Sequence, residues 1–536
     1  MRLSLLRRAA FLACAGVFAG RAQAAPLLTP HVPAAVATHQ SAFVGTPDPT
    51  LPLHLAVALP MRDQAGLDAL LRQIYDPGSP RYRHYLTVAQ FADRFGPTAS
   101  DYAEAVRFFA AAGLRITGVS ANRYIVDVLG SVADIERVFH VKMGLYRHPT
   151  QRRDFLAPDR EPTLDLAVPV LHVSGLDDFT LPTPRLKHSA TPSARAGTGS
   201  GPGGNFLGSD IRAAYYGSGK LTGAGQSLGL MELASYNLAD VTLYFATYGP
   251  PLTAAVNGIS TDGSNVNCTG TCHDGEQALD IEYAISMAPG LDQVQVYVGK
   301  TAESVLNRMA SDNTSKQLST SWGWHEDFAT DDPIFKEMAA QGQTFLTASG
   351  DYSTLKASGP WPEEDANLTG VGGTDLKTEG AGGPWRAEAG WIHSAGGPSL
   401  DKTILIRGYQ LRLINTANAG STILRNVPDI AGDANTDNVI CAGGRCDGGW
   451  GGTSFASPIW AGFIALANEQ AAANGEPTVG FLNPTLYALA RRPWYARTLH
   501  DETIGKSGRY QAVPGYDLVT GLGSPSGRAL IDALAP

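Results

Sequence analysis

Hydrophobic and polar positions follow two different rhythms along the chain. In the first third, strand-like runs such as PLHLAVALP (52–60), NRYIVDVLG (122–130) and VKMGLYRH (141–148) alternate with helix-like segments. The helical segments are DQAGLDALLRQIYD (63–76), SVADIERVFH (131–140) and TASDYAEAVRFFAAAGL (98–114), the last with Ser100 or Asp101 as its predicted N-cap. Strands and helices in this order predict a small α+β sandwich.

From about Asn205 onwards, short buried runs alternate with helices. The strand-like runs are GQSLGLMEL (225–233), DQVQVYVG (292–299), KQLSTSWG (316–323) and GQTFLTASGD (342–351). TAESVLNRMASDN (301–313) and DPIFKEMAAQG (332–342) are the helical segments between them. This alternation predicts an α/β fold with a doubly wound parallel sheet, whose active site gathers at the carboxyl ends of the strands.

Two further segments lie outside these patterns. Residues 186–204, LKHSATPSARAGTGSGPGG, contain almost no large apolar side chain, which is typical of an exposed linker that proteases cut. Residues 1–24 have basic residues, a short apolar core and a final AQA, which predict a cleaved export signal. The pair Arg7-Arg8 leaves the general and the twin-arginine export routes open. Cys14 is better explained by the apolar core than by a lipoprotein motif, and no later run is long enough to cross a membrane.

Composition narrows the function. Hydrophobic residues make up 43 % of the chain, which is enough for a large core, and the formal net charge of -9 provides no basic surface for nucleic acid. Without Cys14, four cysteines remain in two close pairs, Cys268 with Cys272 and Cys441 with Cys446. In an exported protein such pairs indicate local disulfides, although three connectivities and a four-thiolate zinc site are open alternatives.

One predicted helix carries two carboxylates at helical spacing. DGEQALDIEYAISMAPG (274–290) is bounded by Asp274 as a predicted cap and by Pro289-Gly290. Glu276 and Asp280 lie four residues apart and share one face, so they can act as a coupled acid–base pair. Alone, this spacing is more typical of a solvated helix face.

Ser454 provides the second chemical signal, in GGTSFASPIWAGF (451–463). The glycines allow close approach of a ligand, and the helix that follows directs its positive end towards the serine. Pro458 lacks the N–H that would pair with the carbonyl of Ser454. These features favour a nucleophile over a simple helix cap. His273 and His325 lie near these segments but in no Gly-rich histidine motif, which directs attention back to Glu276.

Together, GGTSFASP and EQALD resemble the sedolisin (kumamolisin-like) serine-carboxyl peptidases, whose catalytic domain is similar in fold to subtilisin. The block DPGSPRYRHYLTVAQFADRFGP (76–97) resembles their ferredoxin-like activation prodomain. The resemblance implies a signal peptide over 1–24, a prodomain over 25–185, a processing linker over 186–204 and a catalytic domain over 205–536.

The resemblance also implies a role for each residue. Ser454 would be the nucleophile, Glu276 its base, Asp280 the group that orients Glu276, and Asp351 in TASGDYS the oxyanion donor. Glu232 in GLMEL and Trp322 in TSWGW would form hydrogen bonds toward Asp280. The family usually has S-G-T-S at the nucleophile, whereas Gly451 replaces the leading serine here.

LHDETIG (499–505) and AVPGYDLVTGLGSP (512–525) resemble the calcium loops of the same family. The implied site holds one Ca²⁺, for which carboxylate and carbonyl oxygens are suitable ligands. The implied ligands are the carboxylates of Asp501 and Asp517 and the backbone carbonyls of Glu502, Val513 and Gly515.

These expectations describe a secreted or periplasmic, monomeric endopeptidase that acts on proteins or peptides and is inhibited by its own prodomain. Acid favours this site, because histidine, with a pKa of about 6.5, is almost fully protonated at pH 4, whereas about a third of a glutamate with a pKa of about 4.3 is ionised there and can act as a base. A protonated Asp351 would donate to the oxyanion. The alternatives are a histidine-dependent subtilisin-type enzyme and a catalytically inactive secreted binding protein on a peptidase scaffold. Tripeptide-releasing action is left open.

Overall fold

The fold is that of a computed structural model, which describes residues 25–189, 197–270, 272–325, 327–356 and 361–536. The predicted export signal (1–24) and residues 190–196 of the predicted linker lie outside the described residues. Within the described residues, no helix is both long enough and apolar enough to cross a membrane.

The N-terminal part is built on a four-stranded antiparallel sheet, in which the strands lie side by side in the order β3 (Arg115–Val119), β4 (Ile125–Ser131), β2 (Pro52–Ala58) and β7 (His172–Ser174). Counted along the chain within this sheet, the order is 4-1-3-2, which is the order of a ferredoxin-like fold, as predicted. A second antiparallel sheet has the order β1 (Phe43–Gly45), β5 (Met143–Arg147) and β6 (Asp154–Pro158). The elements are β1 (Phe43–Gly45), β2 (Pro52–Ala58), α1 (Gln64–Ile74), α2 (Val88–Arg94), α3 (Ala99–Ala111), β3 (Arg115–Val119), β4 (Ile125–Ser131), α4 (Val132–Phe139), β5 (Met143–Arg147), β6 (Asp154–Pro158) and β7 (His172–Ser174).

Helix caps in this part differ from the prediction. The side chain of Thr98 caps α3 by accepting from the backbone N–H of Asp101 at 3.1 Å, so neither Ser100 nor Asp101 is the cap. Thr98 has the extended backbone that an N-cap needs, and Asp101 is the third helical residue, whose N–H has no partner inside the helix. Helix α2 was not predicted, although Thr87 and Gln90 form a capping box that signals its start.

Two short strands, β8 (Thr183–Pro184) and β9 (Lys187–His188), lie between the N-terminal part and the C-terminal part along the chain. The elements of the C-terminal part are α5 (Gly208–Tyr215), β10 (Ser227–Glu232), α6 (Leu238–Thr247), β11 (Ala255–Ser260), α7 (Gly275–Met287), β12 (Gln293–Val298), α8 (Ala302–Asp312), β13 (Gln317–Thr320), β14 (Trp322–Gly323), α9 (Phe328–Ala340), β15 (Thr344–Ala348), β16 (Thr369–Thr378), β17 (Trp385–Gly390), β18 (Ile430–Asp433), β19 (Asn438–Ala442), β20 (Arg445–Gly451), α10 (Thr453–Ala473), α11 (Asn483–Leu489), α12 (Tyr495–Thr498) and α13 (Gly527–Leu534).

The main sheet has the order β11-β12-β10-β13-β15-β16-β17, and β18 also pairs with β16. Every pair is parallel except β16 with β17. Alternate residues of β10 face opposite cores: Leu230 lies with α7 and α10, whereas Met231 lies with α8 and α9. Helices therefore cover both faces, which confirms the doubly wound parallel sheet.

Helix α10 is apolar on all sides because it is enclosed by the sheet and by α7. Gly462 makes this packing possible, since a Cβ at that position would lie 2.7 Å from the carbonyl oxygen of Ala284 in α7. The close contact between α7 and α10 fixes the positions of Glu276 and Ser454, which lie near the N-termini of these two helices.

The N-terminal part packs on α8 and α9. The Asn122 side chain donates to Glu337 in α9 at 2.8 Å and to Asn307 in α8 at 2.7 Å, and all three side chains are buried. Lys336 forms ion pairs with Asp68 in α1 at 3.0 Å and with Asp332 at 2.8 Å. These contacts hold the two parts together on the outer face of the sheet.

Candidate active site

Three neighbouring strands of the main sheet end at one place. Glu232 ends β10, Ser321 and Trp322 follow β13, and Asp351 lies three residues after the end of β15. In a parallel sheet these carboxyl ends form a crevice, and polar side chains gather there. The helices that carry Ser454 and Glu276 begin at the same edge.

Ser454 is the second residue of α10, and Gly452, the N-cap of this helix, has a positive φ. Gly452 has φ 123°, and a Cβ there would lie 2.1 Å from the carbonyl oxygen of Arg185 and 2.8 Å from Oδ2 of Asp351. Only glycine leaves room for both oxygen atoms. The Ser454 hydroxyl is buried and makes no hydrogen bond of normal geometry with the described residues.

Gly451, where related sequences usually have serine, also has a local explanation. A Cβ at this position would lie 2.5 Å from the carbonyl oxygen of Asn435 and 2.7 Å from that of Ala434. The backbone of this chain therefore approaches too closely for any side chain. Close packing of the backbone behind the nucleophile therefore explains why this chain has glycine where the family usually has serine.

Pro458 leaves the carbonyl of Ser454 without its usual helical partner, as the sequence predicts. In the structure the Ser321 hydroxyl lies 3.0 Å from that carbonyl oxygen and donates to Oδ1 of Asp280 at 2.5 Å. Ser321 thus connects the start of α10 to the carboxylate of α7. Sequence reasoning missed Ser321, although it lies beside Trp322 in the segment TSWGW.

Helix α7 brings Glu276 and Asp280 to the same face, one turn apart, and both are buried. Asp274 occupies the N-cap position but its side chain does not cap the helix, which corrects the prediction. Instead, it accepts from the backbone N–H of Asn237 at 2.9 Å. Because α7 is enclosed between α6 and α10, the spacing of its carboxylates does not mark a solvated face.

Glu232 lies beyond Asp280, and its Oε2 accepts from the indole Nε1 of Trp322 at 2.8 Å. The predicted hydrogen bond from Trp322 therefore reaches Asp280 only through Glu232. The other carboxyl oxygen of Glu232 and Oδ2 of Asp280 have no donor among the described side chains. A proton shared between the two acids would satisfy both atoms.

Burial raises the pKa of all three acids. For Glu276 and for Glu232, the charge of Asp280 raises the pKa further. The pKa of Asp280 is also raised by burial, while hydrogen bonding with Ser321 and Glu232 opposes this effect. Ser454 is close enough to lower the pKa of Glu276. The expectation of a near-ordinary pKa at Glu276 is therefore wrong for the closed site, because water does not reach it.

Asp351 faces Gly452 and the carbonyl of Arg185. Its Oδ1 accepts from both the backbone N–H and the hydroxyl of Thr453 at 2.9 Å, and its Oδ2 has no partner. Burial raises the pKa of Asp351 to about 6, against the opposing hydrogen bonds from Thr453. At acid pH the free oxygen can therefore carry a proton and donate it.

A segment of the chain itself occupies the crevice. Strand β8 pairs antiparallel with β14, and β9 pairs antiparallel with β20. Between them, the backbone N–H of Arg185 donates to the carbonyl of Ser321 at 3.1 Å. Residues 183–188 thus lie in the crevice as an extended strand that is paired on both sides of Arg185.

The comparisons with known proteins fit this geometry. Residues 21–179 match the family model described as "Pro-kumamolisin, activation domain". Kumamolisin from Bacillus sp. (strain MN-32) is 30 % identical over 490 residues, which span 85 % of this chain and 87 % of that protein. The chain belongs to the sedolisin family of serine-carboxyl peptidases.

Two further relatives of this sedolisin-family chain extend the comparison. Xanthomonalisin from Xanthomonas sp. (strain T-22) is 29 % identical over 550 residues, which cover 88 % of this chain and 64 % of that longer protein. The solved Pseudomonas sedolisin, a serine-carboxyl proteinase in complex with pseudo-iodotyrostatin, superposes with a TM-score of 0.54 at 25 % identity, over 63 % of this chain and 98 % of that structure. The chain is thus a peptidase that carries its family's activation domain.

Both histidines near the predicted motifs, His273 and His325, are exposed. In contrast, the carboxylic acids already described lie around Ser454, and the charge of Arg185 acts on Glu276 and Asp351. Sequence reasoning missed the ion pair between Arg185 and Glu363, because no motif indicates a pairing between residues so distant in sequence.

The four cysteines form the two local disulfides, Cys268–Cys272 and Cys441–Cys446.

The loops predicted to bind calcium also converge. The backbone N–H of Gly515 donates to Asp501 at 2.9 Å, and that of Val513 donates to Oδ2 of Asp517 at 3.0 Å. The Glu502 side chain turns to Ser524 at 3.1 Å. Among the described residues, no cluster of three or more His, Cys, Asp or Glu side chains could hold a metal ion.

Proposed function

We propose that this chain is the precursor of an extracytoplasmic endopeptidase that works in acid through Ser454, Glu276 and Asp280, with Asp351 as oxyanion donor. The observation that carries the proposal is the position of the Arg185 carbonyl. It lies in an extended strand beside Gly452, next to the nucleophile, with the free oxygen of Asp351 on the same side. The test of this proposal measures hydrolysis of a denatured protein substrate between pH 2 and 8 by wild type and by the Ser454→Ala variant.

The chemistry follows from these positions. Oγ of Ser454 attacks the peptide carbonyl carbon, and Glu276 takes the hydroxyl proton. The protonated Asp351 and the backbone N–H of Ser454 donate to the oxyanion. Glu276 then gives its proton to the amine as the C–N bond breaks, and water hydrolyses the acyl-enzyme by the same steps in reverse.

Asp280 acts as a positioning residue for Glu276. Ser321 donates to Asp280, and Glu232 with Trp322 encloses its other side. A proton retained between Glu232 and Asp280 keeps the negative charge of this acid cluster low, so that Glu276 can ionise and serve as the base. Opening of the crevice admits water, which lowers the pKa of Glu276 towards its ordinary value.

The proposed divisions are a signal peptide over 1–24, an inhibitory prodomain over 25–185, a processed linker over 186–204 and a catalytic domain over 205–536. The segment 183–188 supports the inhibitory role, because it fills the crevice. It also supports endopeptidase action, since the bound strand continues on both sides of Arg185. The two disulfides are consistent with an oxidising compartment, secreted or periplasmic, and the enzyme is proposed to act as a monomer.

Acid also weakens the prodomain at a pair of stacked histidines, of which His31 is buried and His172 half-buried. His31 stacks on His172 with ring centroids 4.4 Å apart, and its Nε2 accepts from the backbone N–H of Val173 at 3.0 Å. Burial, and then His172, lowers the pKa of His31 to about 3. A lowered histidine pKa stabilises the fold above about pH 6.5, and this stability is lost as the pH falls from 6.5 towards 3.

We therefore expect the His31→Gln precursor to process roughly tenfold more slowly than wild type at pH 4, because glutamine accepts the same hydrogen bond without titrating. Gel time courses between pH 3 and 6 measure this rate. His84→Gln, at an exposed prodomain position, is the matched control and should process like wild type. Equal rates for all three proteins would exclude the histidine pair as the acid trigger.

The donor set at the C-terminal loops fits calcium, since it consists of carboxylate and carbonyl oxygens. Asp501 and Asp517 hold the same loop, and no basic side chain forms an ion pair with either within the described residues. The proposed ion would be held by these two carboxylates and by the carbonyls of Glu502, Val513 and Gly515. When bound, it would fix this loop and neutralise the two acids.

Calcium should then stabilise the processed enzyme. At a hundredfold excess over its dissociation constant, Ca²⁺ adds about 2.7 kcal/mol, which corresponds to a rise in Tm of roughly 5 °C. Thermal unfolding with Ca²⁺ and with a chelator measures the effect. The Asp517→Asn variant should lose the calcium response, whereas Mg²⁺ should not replace Ca²⁺. An unchanged Tm in wild type would contradict the site.

A further inference from the structure

Arg185 inserts a charged side chain into a buried pocket beside the nucleophile. The residue is 3 % exposed, and its guanidinium Nη2 donates to the two carboxyl oxygens of Glu363 at 3.1 Å and 3.2 Å. The rings of Trp361 and Tyr352 flank it, at 5.1 Å and 5.6 Å from the guanidinium carbon. The pocket is therefore shaped for a long cationic side chain.

Two glycines make the pocket deep enough. A Cβ on Gly323 would lie 2.2 Å from the Arg185 guanidinium, and one on Gly350 would lie 2.1 Å from it. Gly323 belongs to β14, which pairs with the bound segment, and Gly350 precedes Asp351. The strand that binds the peptide backbone and the loop that carries the oxyanion donor therefore form the walls of the same pocket.

The backbone of Arg185 identifies the peptide bond at the reaction centre. Its N–H donates to the backbone carbonyl of Ser321, and its carbonyl oxygen lies beside Gly452 and Asp351. Gly452 precedes Ser454 by two residues. The next residue, Leu186, packs towards the start of α7, 3.1 Å from the position of a Cβ on Gly275. The bond presented to Ser454 is thus that between Arg185 and Leu186.

Glu363 needs a cationic partner to be ionised in this pocket. Burial raises the pKa of Glu363 to about 7, and the positive charge of the Arg185 guanidinium opposes this shift. An ionised buried carboxylate without a partner is costly, so the empty pocket discriminates in favour of a side chain that brings a positive charge. Neutral and acidic side chains cannot do this.

We infer that the pocket bounded by Gly323, Gly350 and Glu363 selects arginine or lysine on the amino side of the cleaved bond, and that the precursor is first cut in cis between Arg185 and Leu186. This inference rests on the proposed function, and it adds the substrate class and the processing bond. The first cut would lie at the amino end of the predicted linker 186–204.

The test uses the processed enzyme at pH 5 and matched fluorogenic peptides that contain Thr-Pro-Arg-Leu or Thr-Pro-Gln-Leu. Wild type should cleave the arginine peptide about 10- to 100-fold faster in kcat/KM, the range expected for a charge-assisted hydrogen bond. Glu363→Gln should lower this ratio about tenfold or more, with little change in the rate for the glutamine peptide. Glu379→Gln, which alters an exposed carboxylate, should keep the ratio of wild type.

The precursor provides an independent readout. N-terminal sequencing of the first processed form should begin at Leu186, and Arg185→Gln should slow this cut about tenfold or move it. A first terminus elsewhere, or equal rates for the two peptides in wild type, would overturn the inference even if Glu363→Gln does not fold. Ser454-dependent digestion of denatured protein without any basic preference would refute only this inference. The absence of such digestion would refute the proposed function itself.

Discussion

Replacing Ser454 with alanine should abolish peptide hydrolysis and leave the precursor uncut at every pH between 2 and 8. Removal of a serine nucleophile typically lowers turnover by about 10⁴-fold or more, since only binding and oxyanion stabilisation remain. The Ser454→Ala variant should remain folded, should run on gels as the full-length chain, and should not measurably digest denatured protein. Glu276→Gln should behave in nearly the same way, because the hydroxyl proton then has no acceptor.

Ser457→Ala provides the matched control. Ser457 lies three residues further along α10, is equally buried, and forms its hydrogen bond with Ser319 at 2.8 Å, away from Glu276. This variant should keep activity and lose only about 1 kcal/mol of stability. If acid digestion survives in Ser454→Ala, the serine only begins a helix and two of the buried carboxylic acids must carry the reaction.

Replacing Asp351 separates the role of its proton from that of its shape. Asp351→Ala should lower kcat/KM by about 10²- to 10³-fold, the usual effect of removing an oxyanion donor. Asp351→Asn should retain most of the acid activity, because an amide can accept from Thr453 and still donate to the oxyanion. Circular dichroism and thermal unfolding establish that both variants are folded.

The pH profile gives the sharper result. Since the Asp351 pKa is about 6, the wild-type carboxyl is protonated and donates below that pH, and activity should fall as the pH rises through 6. Asp351→Asn should lack this alkaline limb. An identical limb in wild type and Asp351→Asn would assign the titration to a different group.

Much of the fold could be read from periodicity, because the strands of the main sheet are buried on both faces and its helices are long. Ser454, Glu276 and Asp280 could be singled out because short motifs carry them. The structure brings these three together, as the sequence analysis proposed. The cap of α3 was misassigned because Thr98, Ser100 and Asp101 are all chemically suitable, and only backbone conformation distinguishes them.

Two other long-range contacts, which no motif carries, could not be predicted. Ser321 meets the carbonyl of Ser454 across 133 positions, and Arg185 meets Glu363 across 178. Neither contact has a local pattern. The pKa of Glu276 was also misjudged, because the carboxylate spacing along α7 does not reveal that α6 and α10 exclude water from it. Burial is a property of the assembled layers, so it becomes visible only when the fold is known.

The paired segment at 183–188 has a kinetic consequence. A bond held beside its own nucleophile is cut in a unimolecular step, so the half-life of the precursor should not depend on how much of it has been exported. Dilution into a large volume, which slows any maturation that depends on collisions between molecules, would leave this one unchanged. A cell that exports a few copies therefore obtains active peptidase after the same delay as a cell that exports many, and the acidity of the surroundings sets that delay.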